Sequence, residues 1–185
     1  LFFKRYATKE LQQFSSPGKD KPKKIEEHRK DPRLTKGPII VSIDTSGSMS
    51  GQPQRIAFSL LKQLLRMAKK QKRPCYLISF SVRSKSIDLA KPRNWRMIDN
   101  FLEHSYSGGT DGEQMLAEAI RVLQKGTYEM ADVLIVSDFE FPVPNPSTIE
   151  KIDKEKALGT RFYGLKIGHY GVKGYRHIMD KIWEV

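Results

Sequence analysis

The sequence contains a single cysteine, Cys75, and no apolar run of about 18 residues. One cysteine excludes an internal disulfide, and its place in the apolar run Cys75-Tyr76-Leu77-Ile78 favours a buried packing role. The missing apolar run excludes a membrane-spanning helix of ordinary length. Since no signal peptide is recognisable either, these absences favour a cytoplasmic protein. The chain begins at Leu1 and not at Met, so we expect it to be part of something longer.

Acidic residues are few relative to basic ones: 21 Asp and Glu stand against 33 Lys and Arg, for a net charge of +12. The surplus is densest in residues 1–38, where 11 basic residues face 5 acidic ones. Such a charge favours anionic partners, namely nucleic acid, acidic lipid or an acidic protein surface. The sequence lacks zinc-finger spacing, an RNP-like run and a regular basic–aromatic alternation. The charge therefore predicts non-specific attraction only.

The composition changes near Pro38. Residues 15–37 contain three prolines and dense charge, which is typical of an arm or linker. Residues 1–14 carry several aromatic side chains, and they are either the end of an upstream element or a segment that docks onto the main domain. We predict a basic N-terminal arm over residues 1–37, at the end of an upstream region, and one folded domain over residues 38–185. A chain of this length buries roughly 70% of its extended surface, so it needs no disulfide to fold.

From Pro38 onward, short apolar runs alternate with amphipathic segments. The runs predict strands at residues 39–44, 75–80, 86–89, 133–136, 162–167 and 182–185. The segments with helical spacing predict helices at residues 54–70, 95–102, 113–123, 147–158 (capped by Ser147) and 175–179. This order predicts an α/β fold with a doubly wound, mostly parallel central sheet flanked by helices on both faces.

Three polar clusters lie where such a sheet binds ligands, beside the carboxyl ends of its strands. They are Asp44-Thr45-Ser46-Gly47-Ser48, Ser107-Gly108-Gly109-Thr110-Asp111 and Ser137-Asp138. Carboxylate and hydroxyl oxygens are hard ligands, suited to Mg²⁺, Mn²⁺ or Ca²⁺ and poorly suited to Zn²⁺. We therefore predict one cation site, with at least one coordination position left open, formed by Asp44, Ser46, Ser48, Thr110 and Asp138.

Each of these residues also has a plainer interpretation. Ser46 and Ser48 could cap the helix that follows them, and Asp44 could accept backbone N–H groups there. Thr110 or Asp111 could be the N-cap of the helix that starts near residue 113, and Asp138 could be an ordinary turn residue. A shared cation explains the set better, because three separate loops supply matching oxygens at one sheet edge. Asp111 alone is assigned to a helix cap or to a position behind the ligands.

The spacing Asp44-x-Ser46-x-Ser48, followed by Thr110 after two glycines and by Asp138 after an apolar strand, resembles the metal-ion-dependent adhesion site of von Willebrand factor A (VWA) domains. The resemblance covers about residues 37–185. It implies that the two serines and the threonine ligate the metal, or switch into doing so, while the aspartates often act through water. A partner's Asp or Glu then completes the shell. The residues beside the ligands, which we expect to form the partner-binding rim, are Met49, Gly109, Phe139 and Glu140.

A narrower set of features is similar to the bacterial ViaA type of VWA protein. These features are Lys36-Gly37-Pro38, the cluster at residues 107–111, Ser137-Asp138-Phe139 and the closing Ile182-Trp183. The similarity implies a cytoplasmic protein that works with a MoxR-class AAA+ ATPase. One departure concerns Asp138-Phe139-Glu140, where many adhesion-type domains carry Asp-Gly, so the shape of this loop is expected to differ.

Enzymatic readings of the same residues have less support. Phosphotransferases that use an aspartate after the first strand resemble Asp-x-Asp, whereas Ser46 stands where the second acid belongs. The sequence has no Gly-x-x-x-x-Gly-Lys-[Ser/Thr] phosphate loop. Its four histidines, at positions 28, 104, 169 and 177, lie in no context that indicates a catalytic triad. We predict a binding module and not an enzyme, with electrostatic binding of nucleic acid or anionic lipid through residues 19–36 as the alternative.

Overall fold

The computed structural model describes residues 36–103, 108–168, 171–172 and 174–185. The predicted N-terminal arm, apart from its last two residues, lies outside this part of the chain, so its boundary stays a prediction. Ser107 and three of the four histidines, His28, His104 and His169, are likewise outside it. No helix among the described residues is both long and apolar enough to cross a membrane.

Six strands form one sheet in the order β3-β2-β1-β4-β5-β6, and only β3 runs antiparallel to its neighbour. The strands are β1 (Ile39–Asp44), β2 (Cys75–Phe80), β3 (Ser84–Asp88), β4 (Asp132–Ser137), β5 (Arg161–Lys166) and β6 (Lys181–Glu184). Every residue of β1 and β2 is buried, which explains why these strands are apolar runs without alternation. The predicted mostly parallel α/β sheet is confirmed.

Helices cover both faces of the sheet, which gives two cores in the part of the chain that the structure describes. The helices are α1 (Gln52–Lys70), α2 (Ile98–Glu103), α3 (Gly112–Leu123) and α4 (Pro146–Ala157), and short 3-10 turns occur at Gly47–Met49, Pro92–Met97 and Gly126–Tyr128. One core packs α3 and α4 against side chains such as Ile40 and Val133. The other packs α1 and α2 against Ile39, Val41 and Val136. Successive β1 residues thus point to opposite faces.

Three of the sequence predictions about helices were wrong in detail. Asn145, and not Ser147, caps α4, since its Oδ1 accepts a hydrogen bond from Thr148 N at 2.9 Å and Pro146 takes the first helical position. The helix predicted for residues 95–102 is split into a 3-10 turn and α2. The helix predicted for residues 175–179 is a series of turns, in which Tyr175 N donates to Val172 O at 3.0 Å. The Tyr175 side chain is buried in this segment.

The strand order places a crevice at the carboxyl ends of β1 and β4. From β1 the chain proceeds outward to β2 and β3, whereas β4, β5 and β6 extend the sheet in the other direction. The order therefore reverses between β1 and β4. In doubly wound sheets this reversal is where loops separate and ligands bind. Asp44 ends β1 and Ser137 ends β4, so both predicted acidic clusters lie at this point.

Candidate metal centre

Asp44 is the buried anchor of the candidate site. It is the last residue of β1, and only 1% of it is exposed. Its Oδ1 accepts a hydrogen bond from Ser46 N at 2.9 Å, and its Oδ2 accepts one from the Ser137 hydroxyl at 2.5 Å. Both carboxylate oxygens are thus held in place, one by the loop after β1 and the other by the end of β4.

Burial raises the pKa of Asp44 above the ordinary carboxyl value of 3.8. Hydrogen bonds from Ser137 and Ser46 lower the pKa and only partly offset that effect, while the nearby charge of Asp138 raises it further. A carboxylate in this position is costly to keep ionised without a positive counter-charge. The environment therefore suits a bound cation.

Ser46 and Ser48 present a pair of hydroxyls beside Asp44. Their Oγ atoms lie 3.1 Å apart, with Ser46 buried and Ser48 exposed. Ser46 precedes the 3-10 turn, but its side chain makes no capping hydrogen bond there. The N-cap of α1 is Gly51, whose positive φ of 83° suits glycine. Neither serine therefore caps α1, which was the plainer interpretation of both.

The loop that carries Thr110 lies against this pair. Gly47 N donates to Gly108 O at 3.3 Å, and Asp111 N donates to Ser81 O at 2.8 Å, so the loop is tied to both the first polar cluster and the end of β2. Thr110 itself is half-buried. Asp111 is the N-cap of α3, because its Oδ1 accepts from Gln114 N at 3.0 Å. These contacts bring Thr110 to the same edge of the sheet as Asp44.

Asp138 approaches from the end of β4, and it is 4% exposed. Its Oδ1 accepts a hydrogen bond from Glu140 N at 3.0 Å. The Ser137 hydroxyl, which donates to Asp44, lies 3.5 Å from the same Oδ1 and accepts from Phe139 N at 2.9 Å. Ser137 therefore stands between the two acids.

Ser137 is the residue that sequence reasoning missed. The sequence prediction took Asp138 from this cluster and left the serine without a role. One signal was present: a hydroxyl residue ends the apolar run of residues 133–136, at the place where a strand in this sheet meets the ligand edge. Only the cross-strand contact to Asp44, 93 positions away, shows what the hydroxyl does.

Two residues of the predicted rim are buried and cannot contact a partner in this structure. Met49 is fully buried in the core beneath α1, and Phe139 is 4% exposed. Phe139 has a positive φ of 61° and packs on the rings of Phe141 and Tyr175, with ring centroids 5.9 and 5.6 Å away. The backbone conformation turns this ring inward. The other two predicted rim residues, Gly109 and Glu140, are exposed.

The donor set depends on hydroxyl oxygens. Among the described residues, no three His, Cys, Asp or Glu side chains gather closely enough to hold a metal. A cation at the β1–β4 edge would therefore need Ser46, Ser48 or Thr110 as well as the two aspartates. This chemistry suits a hard, oxygen-preferring ion.

Replacing Ser137 with alanine is expected to weaken Mg²⁺ binding about 10- to 100-fold, the usual effect of losing a group that orients a ligand. The Asp44 carboxylate would lose its shortest hydrogen bond and turn more freely. Isothermal titration calorimetry with Mg²⁺ measures this affinity. The matched control is Ser79→Ala, which removes a buried hydroxyl that pairs with Thr45 and not with either acid. An equal loss in both variants would contradict the role given to Ser137.

No established family profile matches the chain. Several solved structures have the same fold. The SpRpn10 VWA domain aligns with a TM-score of 0.61 and 13% identity, over 82% of this chain and 88% of that one. The von Willebrand factor type A protein from Catenulispora acidiphila aligns with a TM-score of 0.59 and 16% identity. The alignment covers 82% of this chain but only 39% of that protein's chain.

The conserved hypothetical protein BatB from Bacteroides thetaiotaomicron aligns with a TM-score of 0.55 and 17% identity, over 71% of this chain and 67% of that one. At these identities the comparisons concern the course of the backbone and not the chemistry of the site. The part of the chain that the structure describes therefore has the von Willebrand factor A fold.

Proposed function

We propose that the chain is a divalent-metal-dependent protein-interaction module and not an enzyme. The main support is the pair of buried acids at the β1–β4 edge, Asp44 and Asp138, which approach the same serine hydroxyl from two strands. Two buried carboxylates beside each other are unfavourable in a protein interior unless a cation or a proton neutralises them. A bound cation would neutralise both carboxylates, whereas helix capping would not explain why the two acids lie side by side.

Mg²⁺ is the ion we assign, with Mn²⁺ or Ca²⁺ able to take its place. The residues that would hold it are Asp44, Ser46, Ser48, Thr110 and Asp138. Because Mg²⁺ is six-coordinate and usually keeps several of its waters, some of these side chains would act through water, and at least one position would stay open. When bound, the ion supplies a positive charge and an exchangeable coordination position. The chain's own residues supply its place and its orientation.

The ligand for the open position is a carboxylate, an Asp or Glu on a partner protein. A carboxylate completes an oxygen shell around Mg²⁺, and the exposed Gly109 and Glu140 leave the approach to the site at the surface. Given the resemblance of the sequence to the ViaA type, we propose a MoxR-class AAA+ ATPase as the partner. The contact would be strong while metal is present and reversible when it leaves.

We expect Asp44→Ala to abolish metal-dependent partner binding while the domain stays folded, since the substitution removes one of the two carboxylates of the proposed site. The measurement is the affinity of the chain for a MoxR-class ATPase, by calorimetry with Mg²⁺ and with EDTA. At least a hundredfold loss is expected in EDTA or in the variant, with wild-type affinity for Asp153→Ala, an exposed acid of α4. Unchanged affinity under both treatments would show that the metal mechanism is wrong.

The competing function is electrostatic attachment of the basic arm to nucleic acid or anionic lipid. It is favoured by the 11 basic residues in positions 1–38. Salt and chelation distinguish the two: counterion release makes electrostatic binding fall steeply between about 50 and 200 mM salt, whereas metal-mediated binding survives moderate salt and is lost in EDTA. Tight, salt-resistant binding of one nucleic-acid sequence by residues 15–37 would contradict our proposal.

A further inference from the structure

An apolar groove of about 410 Å³ lies between α1 and the sheet, on the face opposite α3 and α4. One wall is formed by α1 and the floor by β4 and β5. The side chains that matter most are Leu60, Leu64 and Met67 on the wall and Leu134 and Leu165 on the floor. None of these five is fully buried, so the groove is an open concave surface.

The apolar side of α1 is wider than the surface that the sheet covers. Ala57, Leu61, Leu65 and Ala68 are buried against the sheet. Leu60, Leu64 and Met67 occupy the adjoining flank of the helix, and Met67 is 39% exposed. The helix contains no acidic residue, and its charged side chains, all basic, lie on the far side: Arg55, Lys62, Arg66, Lys69 and Lys70. An apolar flank of this width predicts that something packs against it.

The apolar surface continues beyond the groove to the last strand. Trp183 is 42% exposed and lies beside Leu165 in the register of β5 and β6. Its ring packs on Tyr163 with centroids 5.6 Å apart. Exposed apolar surface that is contiguous over a helix and three strands marks an interaction site and not a scatter of single residues.

The charges around this surface are positive. Arg161 and Lys181 are exposed at the β5–β6 border, and Lys181 Nζ lies 5.0 Å from the centre of the Trp183 ring. The acids nearby already have basic partners within the domain. Asp132 pairs with Arg73 at 2.6 Å, and Glu184 pairs with Lys166 at 3.1 Å. Asp132 and Asp180 lie near Arg161 and partly offset its charge, but each already has another basic partner, which for Asp180 is Lys156 at 3.7 Å. A partner on this face therefore meets apolar side chains edged by more basic than acidic groups.

We propose that this groove binds an amphipathic helix of a partner protein, one with a stripe of large apolar residues and with Asp or Glu along its border. A helix presents the convex apolar ridge that a concave groove needs. Acidic residues beside that ridge complement Arg161 and Lys181. The inference is independent of the metal site, since Asp44 and Ser137 lie on the α3 face of the sheet.

The test uses fluorescein-labelled helical peptides of 18 residues with leucine at i, i+3, i+4 and i+7. One carries glutamate beside the leucine stripe, one carries lysine there, and one has the glutamate sequence scrambled so that no stripe remains. Fluorescence anisotropy with the 185-residue chain in EDTA measures affinity without any metal contribution. We expect the acidic peptide to bind at least tenfold more tightly than the lysine peptide, and the scrambled peptide not to bind.

Variants of the groove give the second readout. Met67→Asp places a negative charge on the wall of the groove. We expect it to weaken binding of the acidic peptide at least tenfold. The matched control is Leu158→Asp, which changes another exposed apolar residue, 68% exposed, at the end of α4 on the other face. Should Met67→Asp unfold the chain, the pair Arg161→Glu and Lys181→Glu tests the same surface through its charge. A blue shift of Trp183 fluorescence on binding, absent in Trp183→Phe, locates the peptide.

Three results would overturn the proposal. The first is equal binding of all three peptides, or no binding of the acidic one. The second is binding of phosphatidylserine vesicles that Met67→Asp abolishes, which would make the face a membrane contact. The third is dimerisation in sedimentation experiments that the same variant abolishes, which would make the occupant a second copy of the chain.

Discussion

Saturating Mg²⁺ is expected to raise the melting temperature of the wild-type chain and to leave that of Asp44→Asn unchanged. A ligand that binds only the folded state at about 100 times its Kd stabilises that state by about 2.7 kcal/mol. For a chain of this size each kcal/mol shifts the melting temperature by about 2–4 °C. The wild-type shift is therefore roughly 5–11 °C. Differential scanning fluorimetry with Mg²⁺ and with EDTA measures it, and Asp153→Asn controls for the loss of one acid.

In EDTA, Asp44→Asn is expected to be at least as stable as the wild type. Burial raises the pKa of Asp44, so the fold disfavours its charged form. A raised pKa means that the folded state prefers the protonated carboxyl. The contribution of Asp44 to the stability of the wild type is therefore most favourable at low pH, and it falls as the pH rises through the raised pKa and the carboxyl ionises. Asparagine has no charge to bury. The advantage of the variant should therefore be absent in acid and grow toward neutral pH, as urea unfolding at several pH values would show.

These two measurements separate a metal site from a structural carboxylate. If Asp44 served only to hold the Ser46 turn, removing its charge would lower stability, and Mg²⁺ would shift both proteins equally. If it holds a cation, the charge is unfavourable without the ion and useful with it. Residues that serve binding commonly lower the stability of the fold when the ligand is absent. An identical Mg²⁺ response in wild type and variant would contradict the metal assignment.

The second large effect is expected from Gly112→Ala, at the first position of α3. A Cβ built on Gly112 lies 2.4 and 2.5 Å from two carbons of the Phe141 ring and 2.9 Å from the Tyr175 hydroxyl. Real Cβ atoms do not approach other atoms so closely, so the rings must move. Overpacking of this kind costs about 1–3 kcal/mol. Even though alanine favours a helix, we expect a net loss of stability, measured by urea unfolding.

Gly109→Ala is the matched control, three residues earlier in the loop that leads into α3. A Cβ at Gly109 meets no atom within 4 Å. The free energy of unfolding of the Gly109→Ala variant should therefore stay within about 0.5 kcal/mol of the wild-type value. Because the Phe141 ring also packs on Phe139, we further expect Gly112→Ala to disturb the loop after Asp138 and to weaken Mg²⁺ binding. Equal stability of the two alanine variants would show that the Phe141 ring can move aside without destabilising the fold.

The strands and the order of the site residues were predictable from local pattern. Residues 39–43 are an apolar, mostly β-branched run that ends at an aspartate, and the structure has a strand there that is buried on every residue. Asp44 and Asp138 follow such runs, and parallel strands end at the same edge. Topology thus brings together residues that are 94 positions apart in the sequence. A pattern that depends only on strand direction needs no knowledge of side-chain packing.

Other features were not predictable, because they depend on contacts between distant residues. Met49 and Phe139 look like surface residues beside a site, yet both are buried. The Tyr175 segment has helical spacing but folds as turns, because its ring fills a space beside Phe139 and Phe141. Tertiary packing overrides local preference when a large side chain gains more from burial than a short helix gains from its hydrogen bonds.

By itself, the sequence determined the α/β class, the buried strands and the polar residues at their ends, since each depends on the spacing of residue types along the chain. Only the tertiary structure decided that Ser137 stands between Asp44 and Asp138, and that an apolar groove lies between α1 and the strands β4 and β5. The physical reason is that the two kinds of feature depend on interactions at different distances along the chain. Periodicity reports which face of an element is apolar, but which atoms meet across two faces depends on how the elements pack.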